Sequence, residues 1–223
     1  MLMIHDLQKQ VACPNGEQLT IVRVPYLQVA RGEQLAIIGA SGSGKTSLLH
    51  LISGLLKATQ GQIVFEGVHV EQMQEQERDR WRAENIGYIF QRFNLLDSLT
   101  VEENILAANF FARHTVTAEA KIRTKRLLKL VGLESKMAFM PSRLSMGEQQ
   151  RVAIVRAIIN QPKLILADEP TASLDSENRQ IVLQLLKTVC QKQNSSLLLS
   201  THDQAVIKEF SAQYHMLEGR LTS

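Results

Sequence analysis

A glycine-rich run between residues 39 and 46 combines the residue types that phosphate binding needs. It reads Gly-Ala-Ser-Gly-Ser-Gly-Lys-Thr, follows the apolar segment 35–38 and precedes a segment with helical spacing. Glycines let consecutive backbone N–H groups turn toward phosphate oxygens, and a helix that begins there adds a favourable dipole. Lys45 can reach the β- and γ-phosphates, and the Thr46 hydroxyl suits magnesium. The alternative, a flexible glycine turn, is disfavoured by the position between a strand and a helix. The predicted nucleotide contacts are Gly39, Ala40, Ser41, Gly42, Ser43, Gly44, Lys45 and Thr46.

Two consecutive carboxylates form a second group. Asp168 and Glu169 directly follow the apolar run 164–167. Ligands of open α/β sheets gather at the carboxyl ends of the strands, so we expect both side chains near the glycine-rich run. Asp168 is predicted to hold magnesium, directly or through water, and Glu169 to polarise the water that attacks the γ-phosphate. In the alternative interpretation they only end a strand before Pro170. Together with the glycine-rich run they predict hydrolysis as well as binding.

The surrounding pattern predicts the elements that position these groups. Residues 1–36 contain short strand and turn signals and indicate a β-rich edge. Apolar strand signals at 35–38, 164–167 and 196–200 alternate with helical stretches, which is typical of a mainly parallel sheet covered on both faces. Between about 100 and 159 the pattern is mainly helical.

Composition limits the remaining choices. The chain has 223 residues, 44% of them hydrophobic, which fits a single domain with its own core. The formal net charge of only +3 does not exclude a nucleic-acid partner but gives it no support, and we expect none. Cys13 and Cys190 lie outside any metal-binding or disulfide pattern, which favours a reducing compartment. The N-terminus does not resemble a secretory signal, and the apolar runs are shorter than the roughly 20 residues that span a membrane. We therefore expect a cytoplasmic location.

Further motifs resemble those of ABC-transporter ATPases. The segment Leu144-Ser-Met-Gly-Glu-Gln-Gln150, followed by Arg-Val-Ala-Ile-Val-Arg-Ala, resembles their signature motif. Gln91 lies in a segment similar to the Q-loop, residues 172–175 resemble the D-loop, and residues 201–203 resemble the switch-histidine segment. The resemblance covers essentially the whole chain, in matching order and spacing. Residues 88–96 and 167–171 are most similar to the ATPases of lipoprotein-releasing, macrolide-exporting and cell-division ABC systems.

The resemblance implies the fold and its organisation. It implies a single α/β ABC ATPase domain over residues 1–223, with a P-loop NTPase core and a mainly parallel sheet. An N-terminal antiparallel β subdomain is expected over about 1–36, and the core over 37–99 and 160–223. An inserted helical subdomain with the signature motif is expected over 100–159.

The resemblance also implies a composite site between two subunits. ATP on the phosphate loop of one subunit would be covered by Ser145 and Gly147 of another. The implied catalytic residues are Glu169, His202, Gln91 and Lys45, and the implied magnesium ligands are Thr46, Gln91 and Asp168. His202 would contact the γ-phosphate, and Asp175 would link the two sites. Considered one at a time, these residues have simpler interpretations: Gln91 is a loop residue, His202 ends a strand and Ser145 caps a helix. Only their joint occurrence favours the ATPase roles.

The implied partners are a second ATPase subunit, either another copy or a close counterpart, and an integral membrane permease. The chain would then lie on the cytoplasmic face of the cell membrane and drive an export or lipoprotein-release system with ATP and Mg²⁺. Phe93, Leu95 and Leu96 are either a docking surface for the permease or core side chains. The alternative function is an ATP-gated regulator of a membrane complex that transports nothing, as in cell-division systems.

The sequence departs from the family pattern at three positions. Met146 stands where the signature usually has glycine, which could slow closure of the dimer, and Glu148 replaces the common glutamine. Val11 lies nearest the place where the family tends to carry an aromatic residue that stacks on adenine. We therefore expect weaker or less base-selective nucleotide binding, since stacking on an aromatic contributes about 1 to 3 kcal/mol.

Overall fold

The computed structural model describes residues 1–14 and 16–222, and in this part of the chain ten strands form one mixed sheet. In chain order the strands are β1 (Leu2–Ala12), β2 (Gln18–Val29), β3 (Gln34–Ile38), β4 (Gln60–Phe65), β5 (Val68–His69), β6 (Ile86–Ile89), β7 (Leu164–Asp168), β8 (Ser196–Thr201), β9 (Ala212–Leu217) and β10 (Arg220–Thr222). Their order across the sheet is β5-β4-β1-β2-β10-β9-β3-β8-β7-β6.

One half of the sheet is parallel. β3 pairs with β8 and β9, β7 pairs with β8, and β6 pairs with β7, all in parallel. Since Ile38 pairs with Thr201 and Asp168 with Ser200, the carboxyl ends of β3, β7 and β8 meet at one edge. That edge carries the glycine-rich run, the two carboxylates and His202. The predicted α/β class with a mainly parallel core sheet is confirmed.

The other half is largely antiparallel. β1 pairs with both β2 and β4, and β4 pairs with β5. This part of the sheet therefore includes residues 60–69 in addition to the N-terminal strands. The hairpin of β9 and β10 joins the two halves, because β10 lies parallel to β2 while β9 lies parallel to β3.

Helices cover both faces of the parallel half. They are α1 (Lys45–Ile52), α2 (Glu75–Asn85), α3 (Val101–Arg113), α4 (Ala118–Leu130), α5 (Met146–Ile158), α6 (Ser176–Gln193) and α7 (Gln204–Ile207), with short 3₁₀ turns at Val70–Gln72, Glu134–Lys136 and Pro141–Arg143. Alternate strand residues point to two separate apolar cores: Ile165 packs with residues of α5 and α6, and Leu166 packs with residues of α1. Burial on both faces explains why these strands read as continuous apolar runs.

The inserted region between β6 and β7 contains α3, α4 and α5. Both α3 and α5 begin with a capping box, in which Thr100 pairs with Glu103 and Ser145 with Glu148. Within the described residues no helix has the length and apolar character needed to span a bilayer.

Candidate nucleotide-binding site

The loop between β3 and α1 has a backbone that requires glycine. Gly42 and Gly44 have φ angles of 76° and 102°, in the left-handed region. A Cβ at Gly39 would lie 2.4 Å from the carbonyl oxygen of Met216, so the β9–β10 hairpin leaves no room for a side chain there. The spacing of the glycines is therefore explained by conformation at two positions and by close packing at the third.

Lys45, the first residue of α1, points back over this loop. Its Nζ donates hydrogen bonds to the carbonyl oxygens of Gly39 at 2.7 Å and Ala40 at 2.9 Å. The same Nζ lies 3.2 Å from Oε1 of Glu169, and the Lys45 side chain is only 4% exposed. The charge is held at the mouth of the loop by two carbonyl groups and one carboxylate.

Glu169 lies directly after β7 with an unusual backbone. Its φ is 45°, and its N–H donates to both the carbonyl oxygen and Oγ of Ser200, each at 3.1 Å. Oε1 of Glu169 is also 3.1 Å from Nδ1 of His202. The structure thus brings together Lys45 at the start of α1, Glu169 after β7 and His202 after β8, and it places Glu169 near the glycine-rich run as predicted.

Asp168 lies deeper than its neighbour. It is 4% exposed, and its Oδ1 accepts a hydrogen bond of 2.6 Å from Oγ of Ser200. Ser200 therefore orients the Asp168 carboxylate through its hydroxyl and holds the backbone of Glu169 through its carbonyl oxygen and Oγ.

A cavity of about 450 Å³ opens in front of the loop. Thr46 and Gln91 line it together with Glu169, so the structure places the predicted loop glutamine opposite the glycine-rich run. The full lining is Leu19, Thr20, Ile21, Ser41, Gly42, Gly44, Lys45, Thr46, Ser47, Gln91, Glu169, Glu218 and Gly219. A larger cavity of about 1000 Å³ lies between α4, α6 and α7 and shares none of these residues.

Sequence reasoning missed the contribution of β2 and of the β9–β10 turn to this cavity. Val11 is the register partner of Leu19, and it is Leu19 that lines the cavity, with 54% of its surface exposed. Glu218 and Gly219 form the β9–β10 turn, a Glu-Gly pair that signals a turn without indicating which loop it packs on. The cavity's lining contains no aromatic side chain among the described residues.

The segment after Gln91 is fastened to the helical insertion. Arg156 of α5 donates to the carbonyl oxygens of Asn94 at 2.5 Å and Phe93 at 2.7 Å. Asn104 of α3 donates to the carbonyl oxygen of Leu96 at 3.0 Å and accepts the Leu96 N–H at 2.8 Å. Residues 93–96 are thus held to α3 and α5, whereas Gln91 lies in the cavity.

The predicted signature segment forms the start of α5. Ser145 is its N-cap and accepts the Glu148 N–H through Oγ at 3.3 Å. A Cβ at Gly147 would lie 2.6 Å from Oδ1 of Asn178, so a side chain here would displace the Asn178 amide. Neither Ser145 nor Gly147 lines the cavity that contains Lys45. The structure does not bring the signature segment to the phosphate loop of the same chain.

The predicted D-loop ends at the start of α6. Asp175 caps this helix by accepting hydrogen bonds from the backbone N–H of Asn178 at 2.9 Å and from its Nδ2 at 2.8 Å. The backbone bond from Asn178 is the main reason that the pKa of Asp175 lies below its ordinary value. Arg151 of α5 donates to Oδ1 of the same Asn178 at 3.3 Å. Asn178 therefore connects the D-loop to the signature helix.

Comparison with known proteins assigns the chain to a family. The sequence model described as "ABC transporter" matches residues 23–172. The chain belongs to the ABC transporter family. This confirms the resemblance carried by the motifs, and this ABC cassette is an ATPase of that family. It is 41% identical over 222 residues to the lipoprotein-releasing system ATP-binding protein LolD 1 of Chlorobium luteolum, covering 97% of the cassette and 94% of that protein. It is 38% identical over 226 residues to LolD 2 of Chlorobaculum tepidum, covering 99% and 91%.

Solved structures share the fold of the cassette throughout. The dimeric post-hydrolysis structure of the ATP-binding cassette MJ0796 with ADP and Pi superimposes with a TM-score of 0.91 at 32% identity, over 100% of this chain and 97% of that chain. A dimeric structure of MJ0796, described as a bacterial ABC transporter cassette, gives a TM-score of 0.92 at 32% identity and the same coverage.

Proposed function

We propose that the cavity around the phosphate loop is where this cassette binds and hydrolyses ATP. The observation that carries the proposal is the convergence of Lys45 Nζ and His202 Nδ1 on Oε1 of Glu169, at 3.2 and 3.1 Å, beside the glycine-rich loop. A cation, a carboxylate and an imidazole at one point are the groups that a γ-phosphate and its attacking water require.

The loop binds the triphosphate through its backbone. The contacts are those of Gly39, Ala40, Ser41, Gly42, Ser43, Gly44, Lys45 and Thr46, as predicted from the sequence. Lys45 keeps its two carbonyl partners and turns its remaining N–H toward the β- and γ-phosphates. Because Lys45 is almost fully buried, a phosphate bound there meets its charge with little screening by water.

Thr46, Gln91 and Asp168 fit a magnesium ion. A hydroxyl, an amide oxygen and a carboxylate are the oxygen ligands that Mg²⁺ prefers, usually with water and phosphate completing its shell. The hydrogen bond to Ser200 Oγ uses Oδ1 of Asp168 and fixes the orientation of the carboxylate. When bound, Mg²⁺ would neutralise phosphate charge.

Glu169 is proposed to accept the proton of the attacking water, and Gln91 to orient that water. His202 holds Oε1 of Glu169 from the β8 side and contacts the γ-phosphate. The two bonds from its backbone N–H to Ser200 fix the backbone of Glu169, and the contacts of Oε1 with Lys45 and His202 orient its carboxylate before the reaction.

We propose that Ser145 and Gly147 act on the ATP of a second subunit, most simply another copy. Neither residue lines the cavity of its own chain, which supports this, as does the dimeric arrangement of the similar MJ0796 structures. At the start of α5, backbone N–H groups and the Ser145 hydroxyl offer donors to a γ-phosphate. Asp175 joins the two sites through Asn178, which packs on Gly147.

We propose further that the dimer drives a separate integral membrane subunit of an export or lipoprotein-release system, at the cytoplasmic face of the membrane. The similarity to two LolD proteins over nearly the whole chain supports this assignment. Leu96 is 51% exposed and suits a docking surface beside Gln91, whereas Leu95 packs against the core. Arg156 and Asn104 would transmit movement of this surface to α5 and α3.

The test is co-expression with a candidate membrane subunit of the lipoprotein-release type, followed by purification in detergent and reconstitution in lipid vesicles. The proposal expects co-purification, and ATP-dependent release of a fluorescent lipoprotein that Glu169→Gln abolishes. Leu96→Glu should weaken association, with exposed Leu217→Glu as the matched control. Association and ATP hydrolysis without release would instead favour the regulator, and absence of association would contradict membrane coupling.

A further inference from the structure

Lys136 and Glu148 form an ion pair beside the signature segment. Nζ of Lys136 lies 2.5 Å from Oε1 of Glu148, and the two side chains are 32% and 17% exposed. The other oxygen of Glu148, Oε2, accepts the N–H of Ser145 at 3.0 Å. One carboxylate therefore links Lys136 to the residue that begins α5.

Lys136 is held in place by its own segment. It ends the short 3₁₀ turn Glu134–Lys136, and its carbonyl oxygen accepts the N–H of Phe139 at 2.9 Å. The carbonyl oxygens of Met137 and Phe139 accept the first N–H groups of α3, from Glu102 at 3.0 Å and Val101 at 2.8 Å. The ammonium group thus projects from a segment fixed to α3.

Glu148 creates an electrostatic conflict at this position. A carboxylate at the third residue of a helix stabilises the helix by capping it and by complementing its dipole. The same helix start is proposed to receive the triphosphate of a second subunit, which a carboxylate repels. The ion pair with Lys136 offsets this charge through Oε1, while Oε2 keeps its hydrogen bond from the Ser145 amide.

We propose that Lys136 is a positioning residue for the composite ATP site: by neutralising Glu148 and fixing it on Ser145, it lets an acidic signature segment close over the partner's ATP. The inference rests on the proposed function, because it presupposes that Ser145 meets nucleotide across a dimer. It assigns a role to a residue outside the loop, the carboxylates and the signature segment itself.

The test uses the full chain with Glu169→Gln, so that bound ATP persists, and measures the ATP concentration that gives half-maximal dimer by light scattering. Lys136→Met should raise that concentration about two- to fivefold, since the dimer binds two ATP molecules and each of its two copies of the change is worth a few tenths to one kcal/mol. Lys136→Arg should stay within about twofold of the parent. So should Lys125→Met, which removes an exposed lysine that pairs with Glu134 at 3.7 Å in the same region.

Adding a second substitution, Glu148→Gln, distinguishes whether Lys136 acts through its charge or through its packing. Glu148→Gln added to Lys136→Met should restore the ATP requirement to within about twofold of the parent, and about 0.5 M salt should reduce the Lys136→Met defect. ATP affinity of the monomer, measured in dilute protein, should not change. If Lys136→Met does not fold, Lys136→Gln makes the same charge change.

If the parent dimerises with ATP, three results would overturn the role of Lys136 and leave the composite site standing. They are an unchanged requirement in the lysine variant, a double variant as defective as the single one, and an equal loss of monomer affinity. A parent chain that stays monomeric in ATP overturns the composite site itself, and this inference with it.

Discussion

Nζ of Lys45 lies 3.2 Å from Oε1 of Glu169, so the cation proposed to bind phosphate and the carboxylate proposed to activate water share one ion pair. With 4% and 11% of their side chains exposed, each charge needs the other. A γ-phosphate entering between them takes over part of the Lys45 charge. His202, at 3.1 Å from the same oxygen, remains as the second partner of Glu169.

Replacing Lys45 by alanine is predicted to remove most nucleotide affinity. The loss should be about tenfold to a hundredfold, because a hydrogen bond to a charged group contributes about 1.5 to 3 kcal/mol. Titration of the purified chain with ATP measures it. Exposed Lys57→Ala serves as the control, and ATP binding equal to the parent's in Lys45→Ala would exclude this role.

Replacing Glu169 by glutamine is predicted to separate binding from chemistry. The amide keeps the shape of the side chain but cannot take a proton, so turnover should fall about 10²- to 10⁴-fold while ATP still binds. Phosphate release in a single turnover measures the step. Glu177→Gln, at an exposed position in α6, should keep the parent rate. Turnover at the parent rate in Glu169→Gln would remove this carboxylate from the reaction.

Met146→Gly is predicted to favour closure of the dimer. Met146 is 57% exposed at the start of α5, the helix end that is proposed to meet a partner's nucleotide. We expect dimerisation at a lower ATP concentration in the Glu169→Gln background, with a small loss of thermal stability because glycine costs about 1 kcal/mol in a helix. A higher ATP requirement would show that Met146 contributes contacts instead.

Stability is predicted to fall on acidification, partly through Glu148. The hydrogen bond from Lys136, and then the one from the Ser145 N–H, lower the pKa of this carboxyl from its ordinary value. A carboxyl with a lowered pKa in the folded chain stabilises it above the ordinary carboxyl range of about pH 4, and that contribution is lost as the pH falls through and below this range. Thermal unfolding at pH 7 and at about pH 4 should show a smaller acid-induced drop for Glu148→Gln than for the parent. An equal drop would contradict the role of this carboxyl.

Much of the fold was predictable because its signals are local. The strands before Gly39 and Asp168 are buried on both faces and therefore read as apolar runs, and the start of α5 at Ser145 follows from its capping box. The convergence of Lys45 and Glu169 followed from the rule that parallel strands end at one edge.

Contacts between distant segments were not predictable from local pattern. A Cβ at Gly39 would meet the backbone of Met216 and one at Gly147 the side chain of Asn178, and neither neighbour is marked in the sequence. The same holds for Leu19, which takes the place beside the cavity because it pairs with Val11 in the β1–β2 register. The hydrogen bond from Arg156 to Phe93 joins residues about 60 positions apart in the sequence, so only the packed structure reveals it.

The central claim is that two subunits enclose ATP between the phosphate loop of one and the signature segment of the other. The most direct test is to measure the mass of the Glu169→Gln variant in solution with ATP. The account predicts a dimer of twice 25.1 kDa, which becomes a monomer when Ser145→Arg is added although ATP affinity is kept. The exposed Ser211→Arg should leave the dimer intact. A chain that remains at 25.1 kDa in saturating ATP, or a dimer indifferent to Ser145→Arg, would contradict the account.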